Sequence, residues 1–208
     1  MIGREEQELA VVPLQQQDAP DVADVLSEAF FDYPVMRFVL GTAGNYDERL
    51  PDLVAVFVAA RALRNDPMFG VRDGTRLIAA MTMSNPAEPS HPDFDTMREA
   101  AWLRLGHGVE QRYAQCVATW ESLASNKPQL HVNMIGVRAA YQGRGFARRM
   151  LAEAHRLCEE SEVAEGVSLT TEQARNVDFY RHHGYEVIGH AQIAEGVSTW
   201  SFFRERAV

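Results

Sequence analysis

Four arginines, Arg138, Arg144, Arg148 and Arg149, fall within a twelve-residue stretch that holds no acid, in a chain whose formal net charge is -9. Gly143 and Gly145 sit among them and mark a tight turn where backbone can come close to a ligand. The residues before the turn, His131 to Val137, alternate as a strand does, and those after it place Phe146, Met150, Ala154 and Leu157 at helical spacing. Arg148 and Arg149 therefore occupy the first turn of a helix, where unpaired amides already make the end electropositive and each added cation costs about 0.3–1 kcal/mol. A bound polyanion reverses that sign, so the chemistry suited to this spacing is phosphate binding at a helix N-terminus. A solvated basic patch beside a glycine turn has the same spacing.

Several other chemistries lack their residues. No Lys-Ser or Lys-Thr pair follows the glycines, so the loop is not built for nucleoside triphosphate hydrolysis. Gly143-x-Gly145-x-x-Arg148 lacks the third small residue of a dinucleotide fingerprint, and no repeated strand-helix series accompanies it. There is no Gly-x-Ser-x-Gly elbow, and neither Cys116 nor Cys158 has a triad-like context. Each cysteine falls on the apolar stripe of an expected helix and is expected to be a reduced core residue. His155 and Cys158 share a helix face, but two ligands without a second pair fall short of a zinc site, and no metal is expected.

The elements that must position the loop follow from pattern. Leu9 to Leu14 fits a short strand, and Asp18-Ala-Pro-Asp21 opens a helix with Val22, Val25, Leu26, Ala29 and Phe30 on its apolar face. That helix is expected to end in Phe31-Asp-Tyr-Pro34, because Pro34 disfavours helical geometry at Tyr33; the aromatic break is either a packed corner or a pocket wall. A second helix is expected from about Tyr46 to Leu63. Met68 to Arg72 and Leu77 to Met83 flank Asp73-Gly-Thr-Arg76 as a hairpin. A proline-bearing loop from Ser84 to Pro92 leads to two helices, marked by Phe94 to Leu105 and Val109 to Leu123 and separated by Gly106-His-Gly108. After the loop helix, Gly166 to Thr171 is a strand parallel to, and beside, the strand before the loop. Asn176 can cap a short helix to His183 that Gly184 ends, and Tyr185 to Ile193 with Ser198 to Phe203 form a last hairpin.

The whole is expected to be one α+β domain over residues 1–208, a mixed sheet flanked by helices, with a helical insert at 84–128 before the fourth strand. Apolar content of 46% and charged content of 24% are those of an ordinary globular protein. The acidic balance argues against general nucleic-acid or anionic-membrane binding and leaves cationic substrates open. The N-terminal stretch Met1 to Glu8 has no apolar core or cleavage pattern, and the longest apolar run is too short for a bilayer, so a cytoplasmic protein without membrane partners is expected.

Gln142-Gly-Arg-Gly-Phe-Ala147 resembles the acetyl-CoA loop, Q/R-x-x-G-x-G/A, of the GCN5-related N-acetyltransferase (GNAT) family. It follows a strand ending Ile135-Gly-Val137. Further on, Asn176-Val-Asp-Phe-Tyr-Arg-His-His-Gly-Tyr185 is similar to that family's N-x-x-x-Y-x-x-x-G-F/Y segment. The family's element order matches nearly the whole chain apart from the insert. Ala29-Phe-Phe-Asp-Tyr-Pro34 and Glu195-Gly-x-x-Thr-Trp200 look like the puromycin N-acetyltransferase subgroup. Ala139 stands where a proline is common, and Ala147 replaces the last glycine.

The resemblance implies the GNAT fold and direct acetyl transfer from acetyl-CoA to a primary amine of a small molecule, without a metal. Backbone amides from Gly143 through Arg144, Gly145, Phe146 and Ala147 to Arg148 would hold the pyrophosphate, with Gln142 in the same motif. Backbone of Ile135, Gly136 and Val137 would pair with pantetheine where the family's strands splay, and Asn176 would contact the cofactor or act as a plain N-cap. Tyr180 matches the family tyrosine that protonates the departing thiolate, a fitting task for a phenol of pKa about 10. Alternation would put His131, Asn133, Ile135 and Val137 on one strand face. His131 is the candidate base, through water, with Asn133 positioning it, and Glu172 is the alternative. Phe30 and Tyr33 would bound the acceptor pocket, together with one or two of the insert aromatics Trp102, Tyr113 and Trp120. A non-catalytic acyl-CoA sensor and a peptide or protein N-acetyltransferase remain alternatives, and a homodimer is left open.

Overall fold

The computed structural model describes residues 9–42, 44–89 and 91–207. The stretch Met1 to Glu8 lies outside them, as does Ser90 of the expected insert. Seven strands form one sheet in the order β1-β2-β3-β4-β5-β7-β6. These are β1 (Val11–Leu14), β2 (Met68–Asp73), β3 (Arg76–Ser84), β4 (Gln129–Val137), β5 (Gly166–Thr171), β6 (Glu186–Ala194) and β7 (Val197–Glu205). The helices are α1 (Ala19–Ala29), α2 (Pro34–Leu40), α3 (Tyr46–Leu63), α4 (Pro92–Leu105), α5 (Val109–Ser122), α6 (Phe146–Glu160) and α7 (Val177–His182). This is the mixed sheet with flanking helices of the expected fold class.

Two apolar cores sit on the two faces of the sheet. One packs Val22 and Leu26 of α1, Leu53 and Val54 of α3, Trp102 of α4 and Cys116 of α5 against Leu77, Ala80 and Met134. The other packs Met150, Leu151, Ala154 and Cys158 of α6 with Tyr180 and Tyr185 against Ile78, Met81, Val132, Val167 and Leu169. Both cysteines are buried and free, as their stripe positions indicate. No helix among the described residues is long and apolar enough to cross a membrane.

α2 is absent from the sequence-based expectation. Pro34 ends helical geometry at Tyr33, which is extended at φ -80°, ψ 130°, yet the same proline then opens a new helix as a first-turn residue. Proline's missing N–H and fixed φ suit that position, so one residue both stops α1 and starts α2. The aromatic corner between them is the pivot on which Phe30 and Tyr33 sit.

The pairing of β4 differs on its two sides. With β3 it is antiparallel along its length, but the register shifts between Thr82, opposite Met134, and Met83, opposite Val132. Asn133 is the extra residue of a bulge. With β5 it is parallel, and the paired residues run only from Gln129 with Gly166 to Val132 with Leu169. Beyond that point β4 continues along β3, while Thr170 and Thr171 of β5 pair with Ser201 and Trp200 of β7. The two parallel strands part into a wedge.

The bulge corrects the expected strand face. Val132 and Leu130 point to the α6 side together with Ile135 and Val137. Met134 points to the other side, and Gly136 lies under α1. His131 bonds Ser168 Oγ through Nδ1 at 2.8 Å, and Ser168 alternates with the α6-facing Val167 and Leu169. His131 therefore stands on the face opposite Ile135 and Val137, because one inserted residue inverts the period-2 pattern.

Gly136 is required by packing. A Cβ there would lie 2.6 Å from Ala29 Cβ and 3.0 Å from Leu26 Cδ2, so α1 can approach β4 only over a glycine. Gly136→Ala is expected to lower stability by about 1–3 kcal/mol through overpacking, read as a reduced denaturant midpoint with an unchanged slope.

Candidate active site

The wedge opens into a cavity of about 530 Å³. Its walls include Asn133 and Ile135 of β4, Thr170 of β5, Glu172, Asn176 and Tyr180. Phe30 and Tyr33 close one side, and Tyr113, Val117, Trp120 and Glu121 of α5 another. Both expected acceptor residues, Phe30 and Tyr33, thus line the cavity, and of the three insert aromatics Tyr113 and Trp120 do so. Trp102 instead belongs to the core, its ring tilted against that of Tyr113 at 5.3 Å between centroids.

Thr171 is the knot of this region. Its Oγ1 lies 2.8 Å from Tyr33 Oη and accepts from Asn176 Nδ2 at 3.2 Å. Tyr33 Oη also accepts from the Glu172 amide at 3.0 Å, which ties the start of α2 to the end of β5. Asn176 makes no side-chain cap to α7, so the plain N-cap role is not realised. Its amide is spent on Thr171, leaving its other face to the cavity.

Glu172 is buried, and its Oε1 accepts from Trp120 Nε1 at 3.0 Å and Thr199 Oγ1 at 2.7 Å. Burial raises its carboxyl above the ordinary value, and these donors only partly offset the effect. Tyr180 is 6% exposed. Burial, with the Glu172 charge behind it, raises its phenol well above the usual range, so it stays protonated. Among the described residues the Tyr180 hydroxyl has no protein hydrogen-bond partner, unlike that of Tyr33 or Tyr185. His131 is driven the other way, to about 4, by burial and by the Arg61 guanidinium, and is neutral at neutral pH.

The glycine loop lies at the far end of β4. Gly143 and Gly145 both have φ +77°, a region that disfavours other residues, and a Cβ on Gly143 would meet nothing within 4 Å. The first helical bond of α6 runs from Arg149 N to Gly145 O at 3.2 Å. The amides of Phe146, Ala147 and Arg148 therefore precede the helical ladder and remain donors. The Phe146 side chain is core, so only its backbone serves the loop. Gln142 Nε2 donates to Val137 O at 3.1 Å and holds the loop against the strand end. Arg144 and Arg148 are exposed.

Arg138 leaves the arginine cluster. It is buried, bonds Leu77 O through Nε at 2.9 Å and Glu28 Oε2 through Nη1 at 2.6 Å, and also pairs with Asp24. Glu28 Oε1 additionally accepts from the Ala139 amide at 2.9 Å. Arg138 thus clamps α1 to the point where β4 becomes the loop. Arg149 donates to Leu9 O at 2.5 Å. Among the described residues no three His, Cys, Asp or Glu side chains converge to hold a metal ion.

Sequence reasoning missed Arg61 of α3, which also lines the cavity. The available signal was a charged residue inside the apolar run Val54 to Ala62.

A seven-stranded mixed sheet parted between its two parallel strands, with a glycine loop and helix N-terminus at the end of one, is the acyl-CoA N-acetyltransferase fold. Residues 108–202 match the family model described as an acetyltransferase (GNAT) domain. Among solved structures, the chain is similar to a histone acetyltransferase HPA2-related protein from Corynebacterium glutamicum at 14% identity, covering 96% of this chain and 97% of that one, with a TM-score of 0.70. It is similar to polyamine N-acetyltransferase of Drosophila melanogaster at 14% identity, 95% and 100% coverage and a TM-score of 0.65. It also resembles the PaiA N-acetyltransferase of Thermoplasma acidophilum, solved with coenzyme A, at 10% identity, 96% and 99% coverage and a TM-score of 0.55. Fold and family model together support an acetyl-CoA-dependent acyltransferase.

The depressed value of His131 has a stability consequence. Unfolded, the imidazole titrates near 6.5; folded, near 4. Between those values the unfolded chain binds the extra proton, so this residue's contribution is present above pH 6.5 and is lost as pH falls toward 4. The urea midpoint of the wild type is expected to fall faster over that window than that of His131→Gln.

Proposed function

We propose that the protein transfers an acetyl group directly from acetyl-CoA to a primary amine of a small molecule, acting in the cytoplasm as a single domain with residues 84–128 as the acceptor-side helical insert. The observation that carries this is the wedge: β4 backbone left unpaired by β5, an unpartnered phenol and a buried carboxylate meet in one cavity, and β4 runs on from it to the glycine loop. Bound acetyl-CoA supplies an electrophilic thioester carbonyl and a thiolate leaving group.

The loop amides from Gly143 to Arg148, helped by Arg144 and Arg148, bind the pyrophosphate at the α6 N-terminus. Backbone of Ile135 to Val137, freed where β5 departs, takes the pantetheine arm, and an amide on this strand stabilises charge developing on the carbonyl oxygen. Asn176 faces the cofactor from the other side of the wedge. Phe30 and Tyr33 confine the acceptor, and Asn133, exposed on the bulge, orients it. Tyr180 donates its proton to the leaving sulfur, and its raised value keeps that proton available.

Glu172 is the better-matched base. A general base works best with a pKa near the operating pH; burial moves Glu172 upward from the ordinary carboxylate value and moves His131 down to about 4. Glu172 takes the proton as the ammonium becomes an attacking amine, and His131, neutral and bonded to Ser168, shapes the same wall.

A turnover screen of acetyl-CoA against amines, aminonucleosides and peptides tests the function. No turnover with any of them, despite acetyl-CoA binding, would leave a sensor; no binding would refute the cofactor itself. Tyr180→Phe is expected to lower kcat by about 10²–10⁴-fold while leaving acetyl-CoA affinity unchanged.

The pH–rate profile separates the two bases. A carboxylate base must be ionised, so the rate should fall as pH drops through a value above 4.5. Glu172→Gln should abolish that limb and His131→Gln should keep it. The reverse pattern would return the role to His131.

A further inference from the structure

Arg61 lies on the cavity wall with Ser84, Gln129 and His131, where the end of β3 meets the start of β4. Its side chain is 18% exposed, and its ion pair is one contact, Nη1 to Asp66 Oδ2 at 3.2 Å. The same oxygen faces Arg64 Nε at 3.3 Å, and it has no well-formed hydrogen bond with either arginine. The other acid in reach, exposed Glu88, lies 3.6 Å from Arg64. Two largely buried guanidiniums thus share one carboxylate oxygen.

Burial of Asp66 raises its carboxyl above the ordinary value, against the opposing pull of Arg61 and Arg64. The groups facing Arg61 from β4 and α5, His131 and Tyr113, are uncharged at neutral pH. A buried cation short of partners is costly, and here it adjoins a cavity in a chain of net charge -9. On the same wall Gln129 Oε1 is buried with no hydrogen-bond partner. The space between is bordered by aromatic rings, with Phe57 and Tyr113 stacked at 5.3 Å and Phe94 beside them.

We propose that Arg61 determines specificity by binding a carboxylate on the body of the acceptor, so that the acceptor is a zwitterionic amine with an apolar or aromatic body and not a polyamine. The proposal rests on the acetyl-transfer function above. A planar guanidinium suits a carboxylate, which it can grip with two parallel hydrogen bonds. Glu172 and Tyr180 then receive the amine end, and Arg61 the acid end, of one molecule.

Calorimetry on the full chain with para-(aminomethyl)benzoate, benzylamine and agmatine tests this without requiring turnover. The aminobenzoate is expected to bind at least about tenfold more tightly than either amine lacking the carboxylate, as for a charge-assisted pair. Arg61→Gln should erase the difference and Arg61→Lys should keep part of it. Asp66→Asn, which releases the guanidinium, should widen it, and this variant decides the matter if Arg61→Gln does not fold. Equal affinities in the wild type, a difference that survives Arg61→Gln, or no widening in a folded Asp66→Asn would overturn the proposal. Turnover of amines without carboxylate preference would sink Arg61's role alone, whereas selective binding with no acetylation of any amine would sink acetyl transfer alone.

Discussion

Beyond Val132 and Leu169 the two parallel strands share no further pairs, and the site depends on that loss. A parallel pair in the middle of a sheet normally leaves no backbone free. Here each strand keeps its outer partner, β3 for β4 and β7 for β5, so neither is destabilised by letting go of the other. The bulge at Asn133 supplies the local twist that turns β4 away. A sheet that is continuous at one end and open at the other can hold an extended ligand by main-chain bonds and still be rigid.

The wedge is held open from both faces. On one, Gly136 lets α1 lie against β4, and Arg138 fastens that helix through Asp24 and Glu28. On the other strand, Thr171 gathers Tyr33 and Asn176, and Glu172 reaches Trp120 on α5 and Thr199 on β7. The aromatic corner at Phe30 to Tyr33 is therefore both a packed joint and a wall of the cavity. Removing any one tie would change the width of the wedge before it changed the identity of a reacting group.

Much of this was legible in local pattern. The Asp73-Gly turn, the bounds of α3 and the glycine break between α4 and α5 are written in short-range signals, and the structure has them where periodicity puts them. What was hidden is set by distant partners. Arg138 looked like one of four phosphate ligands, and only folding brings Asp24 and Glu28, more than a hundred residues away, against it. The His131 face was misjudged because alternation presumes an unbroken ladder, and a single extra residue at Asn133 inverts it. Pro34 reads as a stop in the sequence, although a stop and a start use the same restricted φ.

Charge placement separates the two groups proposed for proton transfer in the cavity. Glu172 and Tyr180 line one cavity, and burial first, then the negative charge of Glu172, raises the Tyr180 phenol. An ionised Glu172 therefore adds to the hold that burial already gives Tyr180 on its proton. In the proposed reaction, protonation of that carboxylate by the incoming ammonium would relax its part of the hold as the thiolate leaves. In that proposal one buried carboxylate, held by Trp120 and Thr199, would couple the arrival of one proton to the departure of the other.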